Sequence, residues 1–141
     1  MFAALDLAKY IVRKCVDDNQ PVSNLQLQKI LYNIQKFYLY EFNVPFFVDD
    51  IEAWQFGPVV PNVYYHYCGY GAMPITNEVE APVFNIRDIV IINNIVETKR
   101  CLSPWVLVAE SHRPGGAWDR VFQNGLGNHK VIPLDYIREE I

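Results

Sequence analysis

Apolar side chains recur every three or four residues along the N-terminal third of the chain, the spacing of one buried helix face. Leu5 to Val16 is therefore predicted to form an amphipathic helix, which ends at Asp18–Pro21 because proline disfavours a helical residue before it. A second helix is predicted from Ser23 to about Phe42, since Ser23 and Gln26 have the spacing of a capping box. Its apolar stripe consists of Leu27, Ile30, Leu31, Ile34 and Tyr38.

The middle of the chain changes to a shorter period. From Ile51 to Phe56, the set Ile51, Ala53 and Gln55 alternates with the set Glu52, Trp54 and Phe56, which predicts a short strand or extended segment. Gly57-Pro58 then reads as a corner, because proline fixes φ and glycine permits turns that other residues resist. Pro61 suits the first turn of a third helix, and Gly69 is placed to end that helix in the left-handed conformation. Residues 70–83 are predicted to be a loop.

Capping signals mark the helices of the C-terminal half. Asn85 is placed to cap a fourth helix reaching Val96, although the run Ile89–Ile92 is equally compatible with a buried strand. Ser103-Pro104 predicts the start of a fifth helix that continues to Ser111. Pro133 is predicted to open a last helix ending at Ile141. Loops are predicted over residues 113–116 and 125–128, and a short strand over residues 131–132.

These patterns together predict a mainly α fold, a single compact multi-helix domain over residues 1–141. Short β segments are expected near residues 51–56 and 131–132. The chain has 141 residues, of which 51% are hydrophobic and 20% charged, as in ordinary globular proteins. A chain of this length buries enough surface to fold without a metal or a disulfide.

Charge and cysteine content narrow the class of partner. The net charge is −4, and no basic run is longer than Lys99-Arg100, so a nucleic-acid partner is not expected. The three cysteines, Cys15, Cys68 and Cys101, are far apart and form no Cys-x-x-Cys pair, which argues against a zinc site or disulfide framework. No leader or membrane span is apparent, and we expect a cytoplasmic protein that requires no cofactor.

Candidate catalytic residues are sparse. His112 lies near Glu110 and Asp119, and a small hydrolase using His112 with one of these carboxylates is the alternative to a binding protein. Glu110, His112 and His129 lack the i, i+4 spacing of helical metal ligands, so no metal site is indicated. No catalytic residue is assigned.

Aromatic residues are the more informative group, since they make up 14% of the chain. Trp54 and Trp118 are expected either to pack under the Gly57-Pro58 corner, with their indole N–H groups on backbone carbonyls, or to line a groove for a partner. The helix that carries Tyr64, Tyr65 and Tyr67 offers a further aromatic surface. The candidates for partner binding are Trp54, Phe56, Gly57, Pro58, Tyr64, Tyr65, His112 and Trp118.

Three motifs in order give the chain a family resemblance, which extends from about Leu5 to the C-terminus. They are Leu25–Tyr32, the block Glu52-Ala53-Trp54 followed by Gly57-Pro58-Val59-Val60-Pro61, and Ser111-His112 followed by Ala117-Trp118. This arrangement resembles the Panacea domain, a family of phage and prophage proteins and SocA-like antitoxins. The matching residues are Leu27, Leu31, Trp54, Gly57, Pro58, Val59, Pro61, Gly69, Gly71, His112 and Trp118.

The resemblance implies a function without catalysis. Panacea-type antitoxins are single, mostly helical domains that neutralise unrelated toxins, commonly by direct binding, and SocA-like members also deliver the toxin to a protease. We therefore expect an antitoxin or a phage accessory protein whose partner is a cognate toxin, with a protease as a possible second partner. The family commonly has a polar or acidic residue between the His and the Trp, where this chain has Arg113-Pro114-Gly115-Gly116.

Overall fold

A computed structural model of the chain describes residues 1–78, 80 and 82–140. The helices of this part are α1 (Ala4–Asp17), α2 (Asn24–Phe42), α3 (Pro61–Tyr67), α4 (Ile86–Lys99), α5 (Pro104–Ser111), α6 (Ala117–Phe122) and α7 (Leu134–Glu139). The strands are β1 (Glu52–Trp54), β2 (Gly57–Val59) and β3 (Lys130–Val131). The prediction of a mainly α fold is confirmed.

Helix α2 is the centre of the fold, because α1, α3, α4, α5, α7 and β2 all contact it. Its apolar residues Leu27, Ile30, Leu31 and Ile34 are fully buried, as their spacing predicts. Buried Gln35 ties the next segment to this helix, since its Oε1 accepts hydrogen bonds from the N–H groups of Phe46 and Phe47 at 2.8 and 3.2 Å. A central helix surrounded on most sides therefore carries buried polar as well as apolar residues.

The predicted caps are present. Ser23 and Gln26 form the reciprocal capping box of α2. Asn85 caps α4 by accepting a hydrogen bond from the N–H of Asp88, and Ser103 caps α5 in the same way. The run at residues 89–92 is helical, so the strand alternative is wrong there.

The central corner differs from the prediction. The extended segment at residues 51–56 is one arm of a hairpin: β1 pairs with β2 antiparallel, and the chain reverses at Gln55-Phe56 instead of Gly57-Pro58. Gly57 lies within β2 at φ 115°, a backbone conformation that side chains disfavour. β3 pairs antiparallel with the other edge of β1, which confirms a strand close to the predicted 131–132 and gives the order β2-β1-β3.

Other boundaries also required correction. Gly69 is not the left-handed end of α3: the helix passes into a 3-10 turn over Cys68–Tyr70, and Gly71 has the positive φ of 58°. Helix α6 was not expected, because its six residues are too few to show a period. The last helix ends at Glu139, and Ile141 lies outside the described residues. Among the helices described, none is both long and apolar enough to cross a bilayer.

Candidate functional site

Aromatic side chains collect on one exposed side of the hairpin. We call this the hairpin aromatic surface, and it consists of Trp54, Phe56, Tyr64, Tyr65, Trp105 and His129. The exposed fractions are 47% for Phe56, 60% for Tyr65 and 63% for Trp105. Large aromatic side chains left this open to water are the residues that carry most energy in protein interfaces.

Ring contacts link the residues of this surface. His129 stacks on Trp54 with ring centroids 4.3 Å apart, and Tyr64 meets the same indole edge-on at 5.0 Å. Across the turn, Phe56 contacts Trp105 of α5 edge-on at 5.6 Å. The contacts restrict each ring, so less side-chain entropy remains to be lost when a partner binds.

A cavity of about 440 Å³ opens beside Trp54, Phe56, Tyr64 and His129 of this surface. Trp54, Phe56, Val59 and Tyr64 form its apolar walls, and Gln28 from α2 supplies a polar group. A concave apolar site with few polar groups is the usual form of a binding pocket.

Trp118 supports the hairpin from below. Its indole Nε1–H donates a hydrogen bond of 2.7 Å to the backbone carbonyl of Trp54. The His112 ring stacks on Trp118 at a centroid distance of 3.8 Å, and Phe122 also stacks on it at 4.6 Å. Two roles were expected for Trp118, and the structure shows the first: the side chain is packed with its indole N–H on a backbone carbonyl.

The surroundings of His112 favour the neutral form of its imidazole. Burial lowers its pKa, the nearby charge of Lys29 lowers it further, and Asp119 opposes both. Its Nε2 is buried and has no hydrogen-bond partner within the described part of the chain. Among the described residues, neither predicted carboxylate bonds to the ring: Asp119 accepts from the N–H of Gly115, and Glu110 pairs with Lys99.

Gly57 and Pro58 are buried in β2, where they meet α2. The Lys29 ammonium, 1% exposed, donates to the carbonyl of Pro58 at 3.2 Å, and Gln28 Oε1 accepts from the N–H of Val60 at 2.9 Å. Asn24 extends the same row by donating to the carbonyl of Tyr64. Three polar side chains of α2 thus hold the hairpin and the start of α3.

The eight predicted residues fall into two layers. Trp54, Phe56, Tyr64 and Tyr65 lie together on the hairpin aromatic surface, whereas Gly57, Pro58, His112 and Trp118 lie beneath it. Tyr67, expected on the surface of α3, is buried with its hydroxyl on Glu78. Trp105 is not among the candidates predicted from the sequence. A signal was present, because residues 104–108 are all apolar and a helix cannot bury every side of such a run, so some of these side chains must face solvent.

Replacing Trp118 with Phe is expected to lower the free energy of unfolding by about 1–2 kcal/mol, because the Trp54 carbonyl loses its buried partner. Urea denaturation measures the change. Trp105→Phe is the matched control and is expected to have an effect within about 0.5 kcal/mol, since that indole is exposed. Equal effects of the two variants would contradict the supporting role of Trp118.

Comparisons with known proteins agree with the aromatic and proline motifs. The sequence profile of the family "Antitoxin SocA-like, Panacea domain" matches residues 27–119, a range that contains most of α2, the hairpin, α5 and Trp118. Antitoxin SocA of Caulobacter vibrioides (strain NA1000 / CB15N) is 32% identical over 140 residues, covering 91% of this chain and 74% of that protein. No solved structure matches the chain. The chain therefore belongs to the Antitoxin SocA-like, Panacea domain family.

Proposed function

We propose that this protein is an antitoxin that neutralises a toxin by binding it directly on the hairpin aromatic surface. The observation that carries the proposal is the exposure of Phe56, Tyr65 and Trp105. Phe56 lines the cavity of about 440 Å³, and Tyr65 and Trp105 contact the rings of Trp54 and Phe56 that line it. Family membership supports a toxin as the partner. We also propose that residues 1–141 form a single domain and that the protein acts in the cytoplasm. The alternative role is that of a phage or prophage accessory protein that binds its partner in the same way.

The surface is suited to binding because its base is rigid. Buried hydrogen bonds from Asn24, Gln28, Lys29 and Trp118 fix the backbone beneath the aromatic rings. A surface that keeps its shape before binding loses little conformational entropy when the complex forms. The polar side chains of α2 therefore contribute to affinity by holding the surface in the shape that binds.

Net charge contributes to the encounter with the partner. The chain carries a net charge of −4, so it attracts a toxin that has a basic surface. Dissolved salt screens this attraction and shortens its range. We expect association to slow as ionic strength rises, while the contacts of the aromatic rings persist.

The surroundings of His112 favour binding over hydrolysis. A general base must place its own proton-accepting atom within reach of a substrate, whereas His112 lies flat against Trp118 with its Nε2 buried. The ring is better explained as support for the tryptophan that holds the hairpin.

Delivery of the toxin to a protease is a further mode that the family resemblance suggests. Sequestration and delivery differ in the lifetime of the toxin: sequestration leaves it intact, while delivery shortens it only where the protease is present. Toxin half-life in cells with and without this chain, and in strains lacking individual proteases, separates the two modes.

Alanine at Phe56 or Trp105 is expected to weaken toxin binding about 30-fold, because truncating an aromatic hot spot costs about 2 kcal/mol or more. Isothermal titration calorimetry with the purified toxin measures the effect. Tyr40→Ala is the control, because Tyr40 is an aromatic residue that is 55% exposed but lies far from the cavity. Along α2 it is about 22 Å from Leu25, which lines the cavity. Normal affinity in both aromatic variants would place the interface elsewhere.

A further inference from the structure

A second cleft, of about 280 Å³, lies between α2, the end of α4, α5 and Glu140 near the C-terminus. Basic side chains outnumber carboxylates in its lining, whereas the whole chain has a net charge of −4. Four cations and two carboxylates line it: Lys29, Lys36, Lys99, Arg113, Glu110 and Glu140. We call it the cationic cleft.

Both carboxylates of the cationic cleft are already engaged. Glu110 pairs with Lys99 at 3.0 Å, and Glu140 lies 3.6 Å from the ammonium of Lys36. Glu140 also accepts hydrogen bonds from the Tyr32 hydroxyl, at 3.1 Å, and from a backbone N–H. Neither carboxylate is therefore available to neutralise a further cation.

Lys29 and Arg113 have no carboxylate partner among residues 1–78, 80 and 82–140. Lys29 is 1% exposed, and one of its three possible hydrogen bonds goes to the carbonyl of Pro58. A lysine this deeply buried normally has a counter-ion, because desolvating an ammonium is costly. The cationic cleft thus contains two basic groups, the buried Lys29 and the exposed Arg113, that an anionic ligand can pair with.

We propose that the cationic cleft binds a carboxylate presented by the partner protein, with the ammonium of Lys29 and the guanidinium of Arg113 as its donors. This inference rests on the proposed function, because the carboxylate belongs to the toxin. The small volume suits a single acidic side chain or a chain end. A singly charged group is favoured over a doubly charged phosphate, since Glu110 and Glu140 line the same cleft and repel anions.

Binding is expected to depend on pH. Burial lowers the pKa of Lys29 to about 7, so the free protein holds this ammonium only partly charged near neutrality. A bound carboxylate favours the charged form and raises that pKa, so binding takes up protons and weakens as pH rises above 7. The titratable or charged groups facing Lys29 are Tyr32, Lys36, Lys99, Glu110, His112, Arg113 and Glu140.

The test uses the full chain and three small probes. N-acetylglycine imitates a chain end, the α-amide of N-acetylaspartate imitates an acidic side chain, and N-acetylglycinamide is the uncharged control. NMR of the lysine side chains follows the pKa of Lys29 during titration with each probe. We expect one of the carboxylate probes to raise that pKa saturably by at least about one unit, and the amide to leave it unchanged.

Variants connect this response to the two donors. Arg113→Gln is expected to reduce probe affinity about tenfold and Lys29→Met to abolish binding, whereas Lys130→Gln, an exposed cation outside the cleft, leaves it unchanged. No response to either carboxylate, an equal response to the amide, or tighter binding of inorganic phosphate would overturn the proposal.

The toxin distinguishes this inference from the proposed function itself. We expect Arg113→Gln to weaken toxin binding about tenfold, with the greater loss at pH 6.5 than at pH 9. If toxin affinity is unchanged while the probes lose theirs, the carboxylate does not come from the partner and the inference fails, but sequestration stands. If the wild-type chain binds the probes but no toxin, the proposed function fails instead.

Discussion

Replacing Gly57 with Ala is expected to lower the free energy of unfolding by about 3 kcal/mol. The residue has φ 115°, where a side chain strains the backbone. A Cβ placed there would also lie 2.5 Å from Ser111 Oγ and 2.9 Å from the Nζ of Lys29. Because Lys29 is buried and bonded to Pro58, the lysine has to leave its position to make room. Urea denaturation at pH 7 measures the loss.

Gly69 provides a matched control, since it belongs to the same set of motif glycines. It has no positive φ, and apart from its chain neighbours no atom of the residues that the structure describes lies within 4 Å of the position that a Cβ would occupy. Gly69→Ala is therefore expected to change stability by no more than about 0.5 kcal/mol. A loss below about 1 kcal/mol for Gly57→Ala would show that β2 and α2 are less closely fitted than the structure indicates.

The free energy of unfolding is expected to rise by about 2 kcal/mol between pH 7 and pH 9, and Lys29→Met is expected to remove that rise. The pKa of Lys29 is lowered by burial to about 7 in the folded state and is near its ordinary 10.5 in the unfolded chain. Between these values the unfolded state binds more protons, so raising the pH favours the folded state. Replacing the ammonium with an apolar side chain is expected to stabilise the protein most at pH 7 and below.

Denaturation of both proteins across pH 6–9 measures this difference. Burial raises the pKa of the Cys15 thiol, which opposes the rise towards the alkaline end, but both proteins share this group and it cancels in their difference. Lys36→Met is the control, because Lys36 is only partly buried beside Glu140, and it is expected to keep the pH dependence. Parallel curves for wild type and Lys29→Met would mean that Lys29 is not held at a lowered pKa.

The helices that the sequence predicts well are those with both an apolar stripe and a cap. Ser23, Asn85 and Ser103 each accept a backbone N–H where a helix begins, so local chemistry alone specifies the starts of α2, α4 and α5. The periodic stripe of α2 then identifies much of the core. These features are local, and a single sequence contains them.

The hairpin and α6 depend on contacts between distant residues. The alternation at residues 51–56 predicts β1, but the three residues of Gly57–Val59 are too few to display a period. The pairing of the two strands is stabilised by Trp118, which is 64 residues from Trp54. Helix α6 places that tryptophan but contains only six residues. Packing against distant residues determines these features, so the pattern of the sequence reveals neither α6 nor the pairing of β1 with β2.

Hydrophobicity alone wrongly predicts that several polar residues of α2 are exposed. Gln28, Lys29 and Gln35 have the spacing of a solvent-exposed face, yet all three are buried because the hairpin and the segment after α2 cover them. The same limitation applies to the candidate site. Sequence motifs identified Trp54, Trp118 and Gly57 together, but only the structure separates the exposed rings from the residues that support them.

Growth of cells tests the central claim, that this chain neutralises a toxin through the hairpin aromatic surface. The protein encoded by the neighbouring gene is expressed alone, with the wild-type chain, with the Phe56→Ala/Trp105→Ala double variant, and with Tyr40→Ala as the control. We predict toxicity alone, relief by the wild type and by Tyr40→Ala, and no relief by the double variant at equal expression. Full relief by the double variant would contradict the assigned surface, and absence of relief by the wild type would contradict the antitoxin function.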